Sequence, residues 1–157
     1  MSEALKKLDR PQLESWLREA RVDYRDCGEC EGLHLEALRG VEGVIDSRLF
    51  IERYGLLMTT ELEIRPMALM PMAADLGRLN MDYPILKIFL DVVDEATPQL
   101  VMAGILPTNS ELTLAQCAHF ISSTMDATRQ LSAECLQLDY LFAEGRLRPA
   151  GARASLH

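Results

Sequence analysis

The stretch Leu56-Leu57-Met58-Thr59-Thr60-Glu61-Leu62-Glu63-Ile64 sorts its side chains into two alternating sets. Leu56, Met58, Thr60, Leu62 and Ile64 fall on one side and Leu57, Thr59, Glu61 and Glu63 on the other, the period of a half-buried β-strand. Arg65-Pro66 ends the run, because proline has no N–H to give to a sheet ladder. Upstream, residues 44–54 predict a second strand with Ile45, Leu49 and Ile51 on one face. Tyr54-Gly55 predicts a tight hairpin between the two, with glycine supplying a positive φ.

Working outward, Pro71 opens a short helix to about Asn80, with Met72, Leu76 and Leu79 inward. Residues 85–93 read as a strand whose core face is Leu86, Ile88, Leu90 and Val92. Residues 100–106 are apolar on both faces, which predicts a central strand or one covered by a partner. Thr113 and Gln116 form a capping box that starts a last helix of about 30 residues, 113–142. Cys117, Ile121, Met125, Thr128, Leu131, Cys135, Leu138 and Phe142 run down one side of it. At the other end Asp9 is an N-cap, with Pro11 in the first turn and Leu13, Trp16, Leu17 and Ala20 on one face. Between that helix and residue 44, two short extended pieces, near 23–26 and 33–36, flank a Cys27-Gly28-Glu29-Cys30 turn. The order is α-β-β-β-α-β-β-α: an α+β fold with an antiparallel sheet of about five strands packed on helices. One domain covers 9–144, and a flexible tail of 145–157 carries Arg146, Arg148 and Arg153 without an acid.

Charge narrows the partners. Sixteen Lys plus Arg against 24 Asp plus Glu give a net charge of −8, which disfavours nucleic acid and an anionic membrane, since both need a concentrated basic surface. The most apolar stretches, 67–74 and 100–107, are broken by proline and far shorter than the roughly 20 residues of a transmembrane helix. The N-terminal residues lack the apolar core of a secretory signal, and four cysteines do not make a disulfide framework. The expected compartment is the reducing cytoplasm.

Cys27-x-x-Cys30, with His34 four residues on, is the sharpest chemical feature. Thiolates at this spacing can share a metal, but a tetrahedral site wants a fourth ligand, and there is no second CxxC. A thioredoxin-like role would place the pair at a helix N-terminus, whereas Glu31–His34 reads extended. The favoured reading is a turn with two part-buried thiols and no cofactor; the alternative is a metal- or redox-responsive regulator using Cys27, Cys30 and His34. Glu61 and Glu63 share a strand face, but no nucleophile or oxyanion donor stands near them in sequence, and a solvated sheet face explains them. Asp46, Arg48 and Arg65 could form a polar cluster of ordinary ion pairs. No G-x-S-x-G surrounds any serine. The chain reads as a non-enzyme.

The apolar surplus points to an interface instead. Met67, Met70, Met72 and Met81 gather around the middle helix, and the strands at 85–93 and 100–106 carry more apolar residues than one inward face requires. Met72, Leu76, Ile88, Phe89, Val101 and Ile105 are the candidate dimer or partner surface. A homodimer pairing through the middle helix and the strand after it would bury that area, and a remaining sheet edge could take an extended peptide by strand addition.

Three segments carry a family likeness: Cys27-Gly-Glu-Cys30-Glu-Gly-Leu33-His34-Leu35, Gly43-Val-Ile-Asp46-Ser47, and Glu63-Ile-Arg65-Pro66-Met-Ala-Leu-Met-Pro71-Met-Ala-Ala-Asp75-Leu76. Together they resemble the YbjN-type proteins, bacterial sensory-transduction regulators. That family is similar in fold to the type III secretion chaperones, whose α-β-β-β-α-β-β-α order matches the one above. The resemblance implies a cytoplasmic dimer that works by binding proteins, and it brings no catalytic residues.

Overall fold

The computed structural model describes residues 4–93 and 97–142; the expected flexible tail of 145–157 lies outside the described residues. Helix α1 (Arg10–Glu19) starts where the Asp9 carboxylate accepts the Gln12 N–H at 2.8 Å, and it buries Leu13, Trp16 and Leu17. Strands β1 (Tyr24–Arg25), β2 (Leu33–Leu35), β3 (Val44–Glu52) and β4 (Gly55–Glu63) follow. A short 3-10 turn at Pro66–Ala68 leads into α2 (Leu69–Asp82), then β5 (Lys87–Asp91), β6 (Gln99–Pro107) and α3 (Leu114–Gln137). All neighbours pair antiparallel in one six-stranded sheet, ordered β1-β2-β3-β4-β6-β5. The α+β antiparallel class is as expected. The strand count is six rather than five, because the two short pieces flanking the cysteine turn pair with each other as separate strands.

The three helices cover one face of the sheet. At one end α1 and the start of α3 close over Leu33, Leu35, Leu49, Leu56 and Met58. At the other, α2 and the end of α3 close over Leu62, Ile64, Ile88, Leu100 and Met102. The seam between them is small and polar. Ser47 Oγ and Thr60 Oγ1 share a buried hydrogen bond of 2.8 Å. Thr128 and Ser132 each return their hydroxyl to the carbonyl one turn back on α3, both at 2.7 Å, so no buried hydroxyl there is left without a partner.

Five sequence expectations shift. Ile45 is the extra residue of a β-bulge between Val44 and Asp46, and it lies exposed, as does Ile51; Leu49 alone of the three enters the core. The hairpin loop is Arg53-Tyr54, and Gly55 is already paired, opposite Glu52. Its φ of +157° belongs with a close crossing, since a Cβ there would strike the Leu106 carbonyl on β6. The middle helix begins at Leu69, before Pro71, and runs to Asp82. The last helix stops at Gln137. Asp139 turns the chain with φ +59°, its N–H bonding the Leu136 carbonyl (3.1 Å) and the Tyr140 N–H that of Cys135 (3.0 Å), a Schellman ending. Leu138 and Phe142 are therefore exposed, while Leu141 returns to bridge Ile64. On the sheet, Val92 lies beyond β5 and is exposed.

Candidate functional site

The face of the sheet turned away from the helices holds both features singled out in sequence. Register places Phe50, Leu57 and Ile105 in one row across β3, β4 and β6, and Glu61, Val101 and Phe89 in another across β4, β6 and β5. Phe89 and Ile105 are 40% and 49% exposed, and Val101 is buried between its neighbours. Arg48 lies 5.3 Å from the Phe50 ring centroid and Lys87 5.8 Å from that of Phe89, cations stacked beside the apolar rows.

The other candidate surface residues go elsewhere. Met72 and Ile88 are core residues, at 0% and 4% exposure, and Leu76 is half-buried against the same cluster. On α2 the stripe Met72, Leu76 and Leu79 faces inward, as its period predicts, and seats the helix on β5 and β6; the expectation that Met72 and Leu76 also offer a partner surface does not hold. The exposed methionines are Met67, Met70 and Met81. Phe89, Val101 and Ile105 stand together; Met72, Leu76 and Ile88 do not join them.

The cysteine turn folds over the β2–β3 corner of this open face. Asp26 accepts the Gly28 N–H at 2.9 Å, and Gly28 takes φ +77°, which a side chain would strain. The loop then aims the N–H groups of Glu29 and Cys30 at Cys27 Sγ, both at 3.4 Å. These two donors, with help from His34 and the Cys30 thiol, lower the Cys27 pKa to about 6, so the group is a thiolate at neutral pH. Cys30 Sγ lies 3.5 Å from Cys27 Sγ and 3.4 Å from His34 Nε2.

His34 sits on β2, opposite Arg48 on β3, and is nearly buried. Its Nδ1 is 3.1 Å from Asp46 Oδ1 and 3.0 Å from Oδ2. The hydrogen bond to that carboxylate is the main force raising the His34 pKa, and it leaves Nε2 facing the sulfurs. Asp46 also accepts the Ser47 N–H at 2.9 Å and stands 3.7 Å from the buried Arg48 Nε, which has no hydrogen bond among the described residues. Asp46 reaches the imidazole because it stands two residues before Arg48, the cross-strand partner of His34, and so on the same face of β3.

Sequence spacing alone singled out Cys27, Cys30 and His34, and they do converge. Asp46 was grouped with Arg48 and Arg65 instead. Arg48 pairs with Glu61 at 3.3 Å, which accounts for that glutamate, but Arg65 lies elsewhere and donates to the Asp139 carbonyl at 2.8 Å. Cys117 and Cys135 are buried in the core of α3, where burial pushes their thiols up to about 11 and about 12. His119 is exposed.

A sheet helix-covered on one side and open on the other, with a thiol–imidazole corner on that open side, defines a small α+β domain. The chain belongs to the YbjN family, described as "Putative bacterial sensory transduction regulator", whose model matches residues 9–137. Relatives named "Uncharacterized protein YbjN" in Escherichia coli K12 and Shigella flexneri are each 32% identical over 109 residues, 69% of this chain and 69% of theirs. The fold is similar to a crystal structure of Escherichia coli YbjN, described as "a putative transcription regulator", with a TM-score of 0.86 and 27% identity over 89% of this chain and 99% of that one. None of these relatives bears the name of an enzyme. No helix among the described residues is long and apolar enough to cross a membrane.

Proposed function

We propose that the chain is a non-enzymatic regulator of the bacterial cytoplasm that dimerises and acts by binding other polypeptides through the open face of its sheet. One observation carries the reading: Phe50, Leu57, Phe89, Val101 and Ile105 share the side that no described helix covers, in two rows with Arg48, Thr59, Ala103 and Lys87 between them. Scattered apolar side chains need no explanation, but five on one uncovered face across four strands are the kind of surface that a partner covers. A net charge of −8 favours a basic or mixed-charge polypeptide over nucleic acid. The Escherichia coli relative is described as "a putative transcription regulator"; a protein-mediated route to that end suits this chain's charge better than direct contact with DNA.

The test is the mass in solution together with the effect of charging the face. Light scattering at micromolar concentration should give twice the monomer mass, and Phe89→Asp with Ile105→Asp should halve it while the circular dichroism spectrum is kept. A monomeric wild type would remove dimerisation, and binding to DNA without sequence-matched protein present would remove the polypeptide reading.

A further inference from the structure

We propose that Cys27 Sγ, Cys30 Sγ and His34 Nε2 form a zinc site, with Asp46 as the positioning residue that orients the imidazole. The three ligand atoms all lie within 4.8 Å of one another. Zinc–sulfur and zinc–nitrogen bonds of ordinary length at tetrahedral angles put two sulfurs about 3.8 Å apart and sulfur from nitrogen about 3.6 Å apart. The sulfurs here are 3.5 Å apart, and Cys30 Sγ is 3.4 Å from Nε2, so two edges of the tetrahedron are already within a few tenths of an ångström.

Three further features fit a metal better than a bare turn. Backbone N–H groups of Glu29 and Cys30 both point at Cys27 Sγ, which screens the charge a metal-bound thiolate keeps. Asp46 accepts from Nδ1, so the neutral imidazole turns its Nε2 lone pair toward the sulfurs, the carboxylate–histidine–metal arrangement of many zinc centres. Both cysteines are free rather than joined in a disulfide, which leaves each sulfur able to ligate.

The balance is simple. A zinc ion binds both cysteines as thiolates, any remaining thiol proton leaving to solvent, and the divalent cation with two thiolates leaves a neutral core, suited to a half-buried corner. No other His, Cys, Asp or Glu among the described residues joins the group. The fourth position is therefore water in the isolated chain, open to exchange for a ligand atom from outside, as in zinc sites that keep a free position. Sequence favoured a turn without metal for want of that fourth ligand; the convergence of Nε2 and the carboxylate behind it reverse the ranking. The site is independent of the partner-binding reading, since zinc can bind a monomer and a metal-free chain can dimerise.

The experiment uses the full chain, purified without a histidine tag, reduced and stripped with a chelator. Zinc chloride competed against a chromophoric chelator should bind at one equivalent per chain, at submicromolar Kd. Cobalt chloride should give thiolate charge-transfer absorption and the intense visible bands of a tetrahedral ion. Cys30→Ser and His34→Gln should each weaken zinc by at least about 100-fold, and Asp46→Asn by about 10- to 100-fold, while Cys117→Ser leaves it unchanged. Should the variants misfold, the wild type still decides: zinc must protect Cys27 and Cys30 from alkylation. Micromolar or weaker binding, affinity indifferent to Cys30→Ser, or unprotected thiols would overturn the proposal.

Discussion

The Asn80 side-chain amide closes the outer edge of β5 at Ile88. Its Oδ1 accepts the Ile88 N–H at 2.9 Å, and its Nδ2 donates to the Ile88 carbonyl at 3.0 Å and to Leu76 on its own helix at 2.9 Å. A terminal strand of a sheet otherwise presents a row of unpaired backbone groups, which invites another chain. Here the outer edge of β5 is plugged at Ile88, the second of its five residues, so strand addition is not the natural use of β5. Asn80→Ala should cost about 1–3 kcal/mol by denaturant unfolding, the penalty for two backbone groups losing their partners. It should also raise the aggregated fraction seen by light scattering at high concentration, and an unchanged midpoint would mean that water replaces the amide without loss.

Ile88 and Phe89 are adjacent and point to opposite faces, so they separate folding from assembly. Ile88 is 4% exposed among Met72, Leu79, Leu100 and Met102, whereas Phe89 is 40% exposed on the open side. Ile88→Asp buries a carboxyl in an apolar cluster and should destabilise by at least about 3 kcal/mol. Phe89→Asp should stay within about 1 kcal/mol of wild type in the same unfolding curves. Equal losses for both would mean that the open face is covered even in the free chain.

Local patterns were legible in the sequence, and long-range ones were not. The β4 alternation, the Asp9 cap and the Thr113–Gln116 capping box each depend on residues within a few positions, and each stands as read. The end of α3 was missed because the 3- and 4-residue apolar steps continue through Leu138 and Phe142, and the residue that reverses the chain is Asp139 rather than a glycine. The Ile45 bulge was missed because an extra residue leaves no mark in a parity pattern; it turns Ile45 outward while Asp46 stays in register with Arg48. Cys27, Cys30 and His34 could be grouped by spacing alone. Asp46, twelve residues further on, joins them only once β2 pairs with β3, as Asn80 reaches Ile88 only once α2 lies along β5.

An ion cluster ties α2 to α3 and gives stability an acid limb and an alkaline one. Arg78 bonds Asp75 at 2.8 Å and Glu134 at 2.7 Å, with Tyr140 on Asp75 and Tyr83 on Glu134. The Arg78 hydrogen bond holds Asp75 below its usual 3.8, and the Tyr83 hydrogen bond, then Arg78, holds Glu134 below its usual 4.5. Both carboxyls are lowered on folding, so their contribution is fully present above the unfolded values and is lost as pH falls through the folded ones. Burial, then the hydrogen bond to Glu134, raises Tyr83 to about 12, so its contribution is present below 10 and fades as pH climbs toward that value. Tm should therefore decline at both extremes. Arg78→Met should make the acid limb shallower, and Tyr83→Phe should make the alkaline one shallower, the rest of it belonging to Tyr140, Cys117 and Cys135, which folding also raises; unaltered limbs would mean that the cluster is too solvated to matter.

The four cysteines should divide into two reactive classes. Cys117 and Cys135 are 1% and 0% exposed, and burial alone or burial foremost pushes their thiols to about 11 and about 12. Cys27 is half-buried at the open corner and held to about 6 by the backbone N–H groups of Glu29 and Cys30. At neutral pH most of its population is thiolate, whereas an unperturbed thiol is mostly protonated; the lower basicity takes back only part of that advantage in nucleophilicity. In reduced, metal-stripped protein a short pulse of iodoacetamide should modify Cys27 first, and should still do so when the pH is lowered to near 6. Cys117 and Cys135 should react only after denaturant unfolds the chain, as peptide mass spectrometry would resolve site by site. Modification of Cys135 at the rate of Cys27 would mean that α3 opens from the sheet under native conditions, because no route from solvent to that sulfur exists while Leu131, Leu141 and Met72 pack around it.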